Sequence, residues 1–125
     1  MKAFVAEVML AAVGTRRSDG TVQMNPIWYE YREGYFWLNS WRGSDWMRHV
    51  ERDGDVALLL QDPQNNGRWA QVQGKLVEIS DEQGAAHADA LSMRYTGHPY
   101  DYRYNPRLRV RLQIEPVRIS GYIDR

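Results

Sequence analysis

The order in which strand and helix signals follow one another is the feature of this sequence that most restricts its fold. Helix-like segments interrupt the strand-like segments only twice, so the pattern lacks the regular strand–helix–strand alternation of a parallel sheet. It therefore predicts a mainly β, α+β fold: a largely antiparallel barrel or sandwich with two helices outside it, whose sheet edges close on each other. The strand-like segments are residues 5–14, 21–31, 35–40, 56–60, 69–79, 110–114 and 117–123.

Glycines and prolines divide these segments from one another. Gly20 and Gly34 suit turns between antiparallel strands, so the first three segments predict a meander. Pro26 has no backbone N–H to donate to a neighbouring strand, and we expect it at a sheet edge, at a bulge or where a ligand meets the backbone. Pro116 is expected to break the chain between the last two strands.

Capping residues mark the two predicted helices. Ser44 is a suitable N-cap for a short amphipathic helix that Gly54 would end. Residues 80–83 have the pattern of a capping box and precede a stripe of small and then large residues that runs from Gly84 to Tyr95. Both helices are expected to pack on the sheet by one face.

Length and composition exclude several classes of protein. The 125 residues suit a single domain covering residues 1–125, and the chain has no cysteine for disulfides, thiolate metal sites or a cysteine nucleophile. No apolar run approaches the roughly 18 residues of a membrane-spanning helix, and Glu7 interrupts the position of a signal peptide's apolar region. We therefore expect a cytoplasmic protein that does not bind membranes.

Charge and motifs give little support to several common activities. The 16 basic and 16 acidic residues balance, so net charge does not draw the chain to nucleic acid. His87 and His98 lack the spacing of metal ligands on a helix, and no metal site is predicted. The chain has no nucleophile elbow and no phosphate-binding loop, and no catalytic residue can be named from the sequence.

Groups suited to an anion are concentrated after the third predicted strand. Residues 39–44 combine hydroxyl side chains, Arg42, Gly43 and the start of a helix, and Arg48 lies one turn further on. Exposed N–H groups at a helix start and arginine side chains both bind phosphate. The alternative interpretation is an ordinary N-cap next to surface arginines.

Segments along nearly the whole chain match one known family in the same order. The matching segments are 21–31 (TVQMNPIWYEY), 42–44, 48–53, 56–60, 72–79, 87–91, 94–97 and 114–119. With these segments, the chain resembles the pyridoxamine 5'-phosphate oxidase-like FMN-binding split barrels, in the branch of deazaflavin-dependent oxidoreductases. The resemblance implies an antiparallel split β-barrel of six to seven strands with two helices.

The resemblance also implies a cofactor and a partner. It implies a homodimer with FMN or the 8-hydroxy-5-deazaflavin coenzyme in the groove between two barrels. Pro26, Ile27 and Trp28 would line the ring, while Ser40, Arg42 and Ser44 would hold the phosphate. In enzymes of this kind the cofactor carries the hydride, and the protein supplies orientation and electrostatics.

The chain departs from the family pattern at the start of the first predicted helix. The family commonly has cationic residues where this chain has Asp45 and Trp46. Arg42 or Arg48 could take over the phosphate. Alternatively, the cofactor is held by stacking on Trp46, another ligand such as haem is bound, or the cofactor has been lost.

Aromatic residues extend the candidate site. Trp41, Trp46 and Trp69 could line the ring and the substrate, or could pack in the core or at a dimer interface. The loop 96–107, with its tyrosines, could be a lid or a surface loop that packs on its own barrel. The predicted cofactor-binding residues are Pro26, Ile27, Trp28, Ser40, Trp41, Arg42, Gly43, Ser44, Trp46, Arg48 and Trp69.

Three functions follow as hypotheses. The first is an oxidoreductase that uses reduced deazaflavin or FMN to reduce a small conjugated organic molecule. The second is a non-catalytic ligand-binding module on the same barrel that has lost the usual phosphate clamp. The third is a nucleic-acid-binding barrel, which rests on arginines interleaved with aromatic residues and which the zero net charge disfavours. The residues behind it are Arg103, Tyr104, Arg107 and Arg109.

Overall fold

The computed structural model describes residues 1–103 and 105–123, and these form seven strands and three helices. The helices are α1 (Lys2–Val5), α2 (Asp45–Asp53) and α3 (Gly84–Thr96). The strands are β1 (Ala11–Arg16), β2 (Val22–Ile27), β3 (Tyr29–Arg32), β4 (Tyr35–Trp41), β5 (Asp55–Gln61), β6 (Trp69–Ser80) and β7 (Arg109–Tyr122). No helix in these described ranges is long and apolar enough to cross a membrane.

All strands join one antiparallel sheet in the order β2-β1-β5-β6-β7-β4-β3. The mainly β, α+β prediction is therefore confirmed. The short helix α1 adds a third helix to the two expected ones, and of the segment 5–14 that was predicted as a strand only residues 11–14 belong to β1. The prediction for residues 5–10 was wrong: Val5 is buried from the end of α1, and residues 6–10 connect this helix to β1 without joining the sheet.

The sheet closes at Trp28. β2 and β3 lie at opposite edges of the strand order, yet Trp28 is the only residue between Ile27 at the end of β2 and Tyr29 at the start of β3. The two edges must therefore meet at this residue, which requires the sheet to curl into a barrel. The sequence predicted a single strand over 21–31. This was wrong because the chain leaves one edge of the sheet and enters the other.

Two prolines lie within strands, at places where a missing N–H is tolerated. Pro26 pairs with Ala12 of β1 on the edge strand β2, as expected for an edge position. Pro116 was expected to break the last strand, but β7 continues through it. It pairs with Gly74 at a register shift of β6, and the missing side chain of Gly74 leaves room for Ile114.

The core fills the barrel from alternate positions of the strands. Val13 of β1, Leu58 of β5 and Leu112 of β7 are almost completely buried, while their chain neighbours face outward. α2 adds an apolar face to this core through Trp46, Met47 and Val50. α2 and α3 both end at a glycine in the left-handed conformation, as the sequence predicts for α2.

Candidate functional site

A cavity of about 530 Å³ opens where β2 passes into β3, beside the end of β4 and the face of α3. We call it the Trp28 cavity. Its volume is within the roughly 300 to 1,000 Å³ of small-molecule sites. Six of the predicted cofactor-binding residues line it: Pro26, Ile27, Trp28, Ser40, Trp41 and Trp46. The hairpin of β3 and β4 brings positions 26–28 and 40–46 together, because Tyr29, the residue after Trp28, pairs with Leu38 near the end of β4.

Trp28 is held by a stacked aromatic partner. Its ring lies parallel to that of Tyr95, with ring centroids 5.1 Å apart and an interplanar angle of 6°. The Tyr95 hydroxyl accepts a hydrogen bond from the backbone N–H of Tyr29 (3.2 Å) and lies within donating distance of the carbonyl oxygens of Met9 and Tyr29. α3 therefore fixes the single residue at which the two sheet edges meet.

The predicted phosphate-binding arginines are already paired with carboxylates. The Arg42 guanidinium donates to Asp81 Oδ1, and its Nη1 lies 3.4 Å from Glu51 Oε2. The pKa of Arg42 is raised, mainly by its hydrogen bond with Asp81. Arg48 Nη2 lies 2.6 Å from Asp45 Oδ1. Neither arginine lines the Trp28 cavity.

The two serines of the predicted phosphate site bond to each other. Ser44 is the N-cap residue of α2, but its hydroxyl forms no capping bond and lies 2.6 Å from the hydroxyl of Ser40. Both serines are buried. Gly43 adopts a φ of 89° in the turn between the two serines and does not line the cavity. An anion at this place would have to compete with the bond between the two hydroxyls.

Trp69 lies outside the cavity. It begins β6 and pairs with Tyr122 in the ladder to β7, with ring centroids 5.8 Å apart.

The loop after α3 is attached to its own chain. The Tyr100 N–H donates to Asp89 Oδ1 of α3 (3.0 Å), and Tyr100 also lines the cavity. Tyr104, which belongs to the same loop, lies outside the described residues.

Arg109 of β7 also lines the cavity, although the sequence analysis named it only for the nucleic-acid hypothesis and not among the cofactor-binding residues. Its Nε donates to Asn39 Oδ1 (2.8 Å), its Nη1 donates to the Tyr100 hydroxyl (3.2 Å), and its guanidinium lies 4.9 Å from the centroid of the Tyr100 ring. Burial lowers the pKa of Arg109, although an arginine side chain stays charged at neutral pH. Strand alternation in 109–114 placed Arg109 on the face away from the core, but nothing in the sequence indicated that this face borders the cavity.

A buried polar network supports Arg109 from behind. Asn39 Nδ2 donates to the carbonyl oxygen of Gly84 (3.0 Å) and lies 3.1 Å from His87 Nδ1. His87 Nε2 lies 3.3 Å from Glu30 Oε1, and this contact is the largest cause of the lowered pKa of Glu30. The network joins α3 to β3 and β4.

Within the described residues no group of three His, Cys, Asp or Glu side chains could hold a metal ion.

A second depression covers the outer face of β1, β2, β5 and β6. This outer groove has a volume of about 660 Å³, and its lining includes Val22, Met24, Leu59 and Val117, all of them exposed. Isolated exposed apolar residues are common, but a contiguous group of them marks an interaction surface. The groove borders the Trp28 cavity, because Ala12 of the groove pairs with Pro26 of the cavity.

Comparison with known proteins identifies the fold. Among solved structures, an F420 reductase superposes with a TM-score of 0.85 at 23% sequence identity, over 95% of this chain and 94% of the reductase. A conserved hypothetical protein from Mycobacterium tuberculosis gives 0.70 at 28% identity, over 94% and 79% of the two chains. An FAD-binding protein from Mesorhizobium loti gives 0.66 at 17% identity, over 92% and 86%. No curated protein sequence matches the chain significantly.

The sequence itself gives the decisive match. The sequence profile of the pyridoxamine 5'-phosphate oxidase family matches residues 1–122, which is nearly the whole chain. The curled sheet that closes at Trp28 agrees with the split barrel that the resemblance implied. The chain belongs to the pyridoxamine 5'-phosphate oxidase family.

Proposed function

We propose that this chain is one subunit of a homodimeric oxidoreductase that uses reduced deazaflavin or FMN to reduce a small conjugated organic molecule. The observation that carries the proposal is the composition of the Trp28 cavity. Trp28, Trp41 and Trp46 surround a space of ligand size at the junction of the sheet edges. Planar aromatic rings stack well on tryptophan, so the lining suits a tricyclic ring system.

The residues of the cavity fit such a group. The cofactor, when bound, supplies the hydride, so the chain needs no catalytic triad of its own. Leu10 and Leu91 make part of the lining apolar and would limit the access of water. The stacking of Trp28 on Tyr95 would keep one side of the site rigid. Membership of a family that includes flavin-type oxidoreductases supports the same proposal, as does the likeness to an F420 reductase.

The homodimer is supported by the outer groove. Val22 is 62% exposed and Met24 is 56% exposed, and both lie on the edge strand β2 that also carries Pro26 of the cavity. A second copy that covered this face would bury these side chains, and it would lie close to the cavity entrance. Both subunits would then contribute to one ligand site.

Titration with candidate cofactors tests the proposal. Purified protein is titrated separately with FMN and with the 8-hydroxy-5-deazaflavin coenzyme, and the tryptophan fluorescence is followed. We expect saturable quenching by one of them. Trp28→Phe should reduce the quenching amplitude, whereas Trp69→Phe, which alters a tryptophan outside the cavity, should not. Quenching by neither cofactor, or equal loss in both variants, would contradict the proposed site.

The dimer has a separate test. Light scattering coupled to size-exclusion chromatography gives the molar mass of wild type and of two matched variants. Met24→Asp introduces a charge into the outer groove, and Met93→Asp introduces the same charge on α3 at a methionine that is 51% exposed. We expect a dimer that only Met24→Asp converts to monomer. A monomeric wild type would rule the dimer out.

A second candidate function is a non-catalytic ligand-binding module. Its supporting observation is that Arg42 and Arg48, the predicted phosphate ligands, are neutralised by carboxylates of their own chain. Turnover separates the two candidates. The protein is mixed with a reduced cofactor and a quinone or nitroaromatic acceptor, and oxidation of the cofactor is followed. Saturable binding of a flavin, a deazaflavin or hemin without this oxidation would identify a binding module.

A further inference from the structure

Arg109 lies in the Trp28 cavity without a carboxylate partner. Among the described residues that line the cavity it alone carries a charge. None of the ion pairs within residues 1–103 and 105–123 involves it, whereas Arg42 and Arg48 both have acidic partners. The cation that is available to a ligand is therefore on β7 and not at the start of α2.

The Arg109 guanidinium is held in position by neutral groups. Asn39 accepts from its Nε and is itself fixed by the Gly84 carbonyl, while the Tyr100 hydroxyl accepts from its Nη1. No described residue accepts a hydrogen bond from its Nη2, which leaves that amino group for another acceptor. A guanidinium whose position is fixed before binding loses little freedom when it forms a forked pair with an oxyanion.

The surroundings of Arg109 make an ion pair with a ligand more favourable in free energy. The side chain is partly buried against the Tyr100 ring, and burying a cation without a counter-ion is unfavourable. An anionic ligand would offset this cost at a place with reduced access to water, where charge-assisted hydrogen bonds are strong. The same cavity is lined by Trp28 and by Trp41, which pairs with Arg109 across the β4–β7 ladder, and these rings suit a planar group attached to that anion.

We infer that Arg109 is the anchor for an oxyanion, a phosphate or a carboxylate, of a planar aromatic molecule bound in the Trp28 cavity. This role rests on the proposed function, because it assigns a residue to the same site. It replaces the assignment of the phosphate to Arg42. The phosphate would come from the cofactor and the carboxylate from a substrate, and the experiment below distinguishes the two.

The first arm compares FMN with riboflavin, which has the same ring and no phosphate. Dissociation constants are measured by tryptophan quenching for wild type, Arg109→Gln, Arg42→Gln and Arg111→Gln. Arg111 is the matched control, since it lies two positions along β7, also lacks a described carboxylate partner and lies against Trp37 outside the cavity. We expect Arg109→Gln to weaken FMN binding by about ten-fold or more and to leave riboflavin binding unchanged.

Arg42→Gln and Arg111→Gln should still bind FMN more tightly than riboflavin. The same comparison is made with the deazaflavin coenzyme and its phosphate-free chromophore.

The second arm does not depend on any flavin. The ¹⁵N-labelled side-chain Nε–H signal of Arg109, assigned by its loss in Arg109→Gln, is followed while wild type is titrated with inorganic phosphate and, separately, with benzoate. A saturable shift with phosphate supports the cofactor source, and one with benzoate supports the substrate source. Circular dichroism and thermal unfolding establish that the variant is folded, and Arg109→Lys should recover part of the anion binding.

The outcomes separate the inference from the proposed function. If wild type binds no flavin but the Arg109 signal responds to an anion, the proposed cofactor is wrong and the anchor stands. A different result would overturn the role of Arg109 and keep the proposed cofactor. In that result flavins bind, Arg109→Gln still prefers the phosphorylated forms, and neither phosphate nor benzoate shifts the Arg109 Nε–H signal. If only Arg42→Gln loses the preference for FMN over riboflavin, the cofactor phosphate binds at the start of α2 and not at Arg109.

Discussion

Replacing Tyr95 by phenylalanine removes one hydroxyl from the support of Trp28 and keeps the aromatic ring that stacks on it. The hydroxyl accepts from the N–H of Tyr29 and can donate to the carbonyl oxygen of Met9. In Tyr95→Phe the Tyr29 N–H, where β3 begins, and the Met9 carbonyl, just before β1, both lose this partner. The stacking of the two rings, with centroids 5.1 Å apart, should persist.

The expected loss of stability follows from these contacts. Leaving a buried donor without a partner costs about 1 to 3 kcal/mol, and Tyr95 is only partly buried, so water can compensate in part. We therefore expect Tyr95→Phe to lower the free energy of unfolding by about 1 to 2 kcal/mol. For a chain of 125 residues the entropy of unfolding converts this loss into a fall in Tm of roughly 4 to 8 °C.

The same substitution has a pH signature. Burial is the main cause that raises the pKa of Tyr95 above its usual value of 10.0. The unfolded chain therefore releases this proton at lower pH than the folded chain, and the contribution to stability is complete below pH 10 and is lost as the pH rises above it. Phenylalanine has no such proton. The difference in stability between wild type and Tyr95→Phe should shrink above pH 10.

Urea unfolding at pH 7 and at several values above pH 10, followed by circular dichroism, measures both effects. Tyr102→Phe is the control, because its hydroxyl makes only a long 3.4 Å contact with the Ala85 carbonyl and should cost less than about 0.5 kcal/mol. A Tyr95→Phe variant as stable as this control at pH 7 would refute the assignment of the hydroxyl as the support of β3.

Three further substitutions test the fold and its polar network. Leu58→Ala should lower the free energy of unfolding by about 2 to 5 kcal/mol in urea melts, because Leu58 is 1% exposed inside the barrel. Gly84→Ala should cost about 1 to 3 kcal/mol despite alanine's better helix propensity, since the added Cβ would collide with the backbone of Arg109. In wild type, the contact with His87 lowers the pKa of Glu30, so its contribution is present above pH 4.5 and is lost as the pH falls through the lowered pKa. Glu30→Gln should therefore be less stable than wild type at neutral pH and should show a smaller further loss between pH 5 and pH 2 in acid titrations.

Controls for these variants use exposed neighbours. Leu108→Ala changes a leucine that is 57% exposed and should cost little. Ala86→Gly lowers helix propensity on α3 without a new contact and should cost about 1 kcal/mol, which measures the propensity gain that the collision in Gly84→Ala has to exceed. A Gly84→Ala variant more stable than wild type by that amount would mean that no collision occurs. An acid titration of Glu33→Gln that matched Glu30→Gln would remove the role assigned to His87, since Glu33 is an exposed residue of the turn after β3.

The candidate site was predictable in the parts that depend on local sequence. The strand end at Ser40 and Trp41 and the extended segment at Pro26 were recognised from the sequence, and the structure brings them to one cavity. The pairing of Arg42 with Asp81 was not predictable, because the carboxylate comes from the connection between β6 and α3, which only the fold brings next to Arg42. The place of Arg109 in the cavity was not predictable for the same reason, since its neighbours Asn39 and Tyr100 lie on β4 and on the loop after α3.

The sequence by itself determined the class of the fold and the family. Alternation of apolar residues gives strand faces, glycines give helix ends and turns, and these signals are local, so they can be recognised in a single chain. Only the tertiary structure decided that the segment 21–31 divides at Trp28 and that β7 runs through Pro116. It also decided which arginine faces the cavity. These features depend on which strands become neighbours, and that choice is made by the closure of the whole sheet and not by any segment alone.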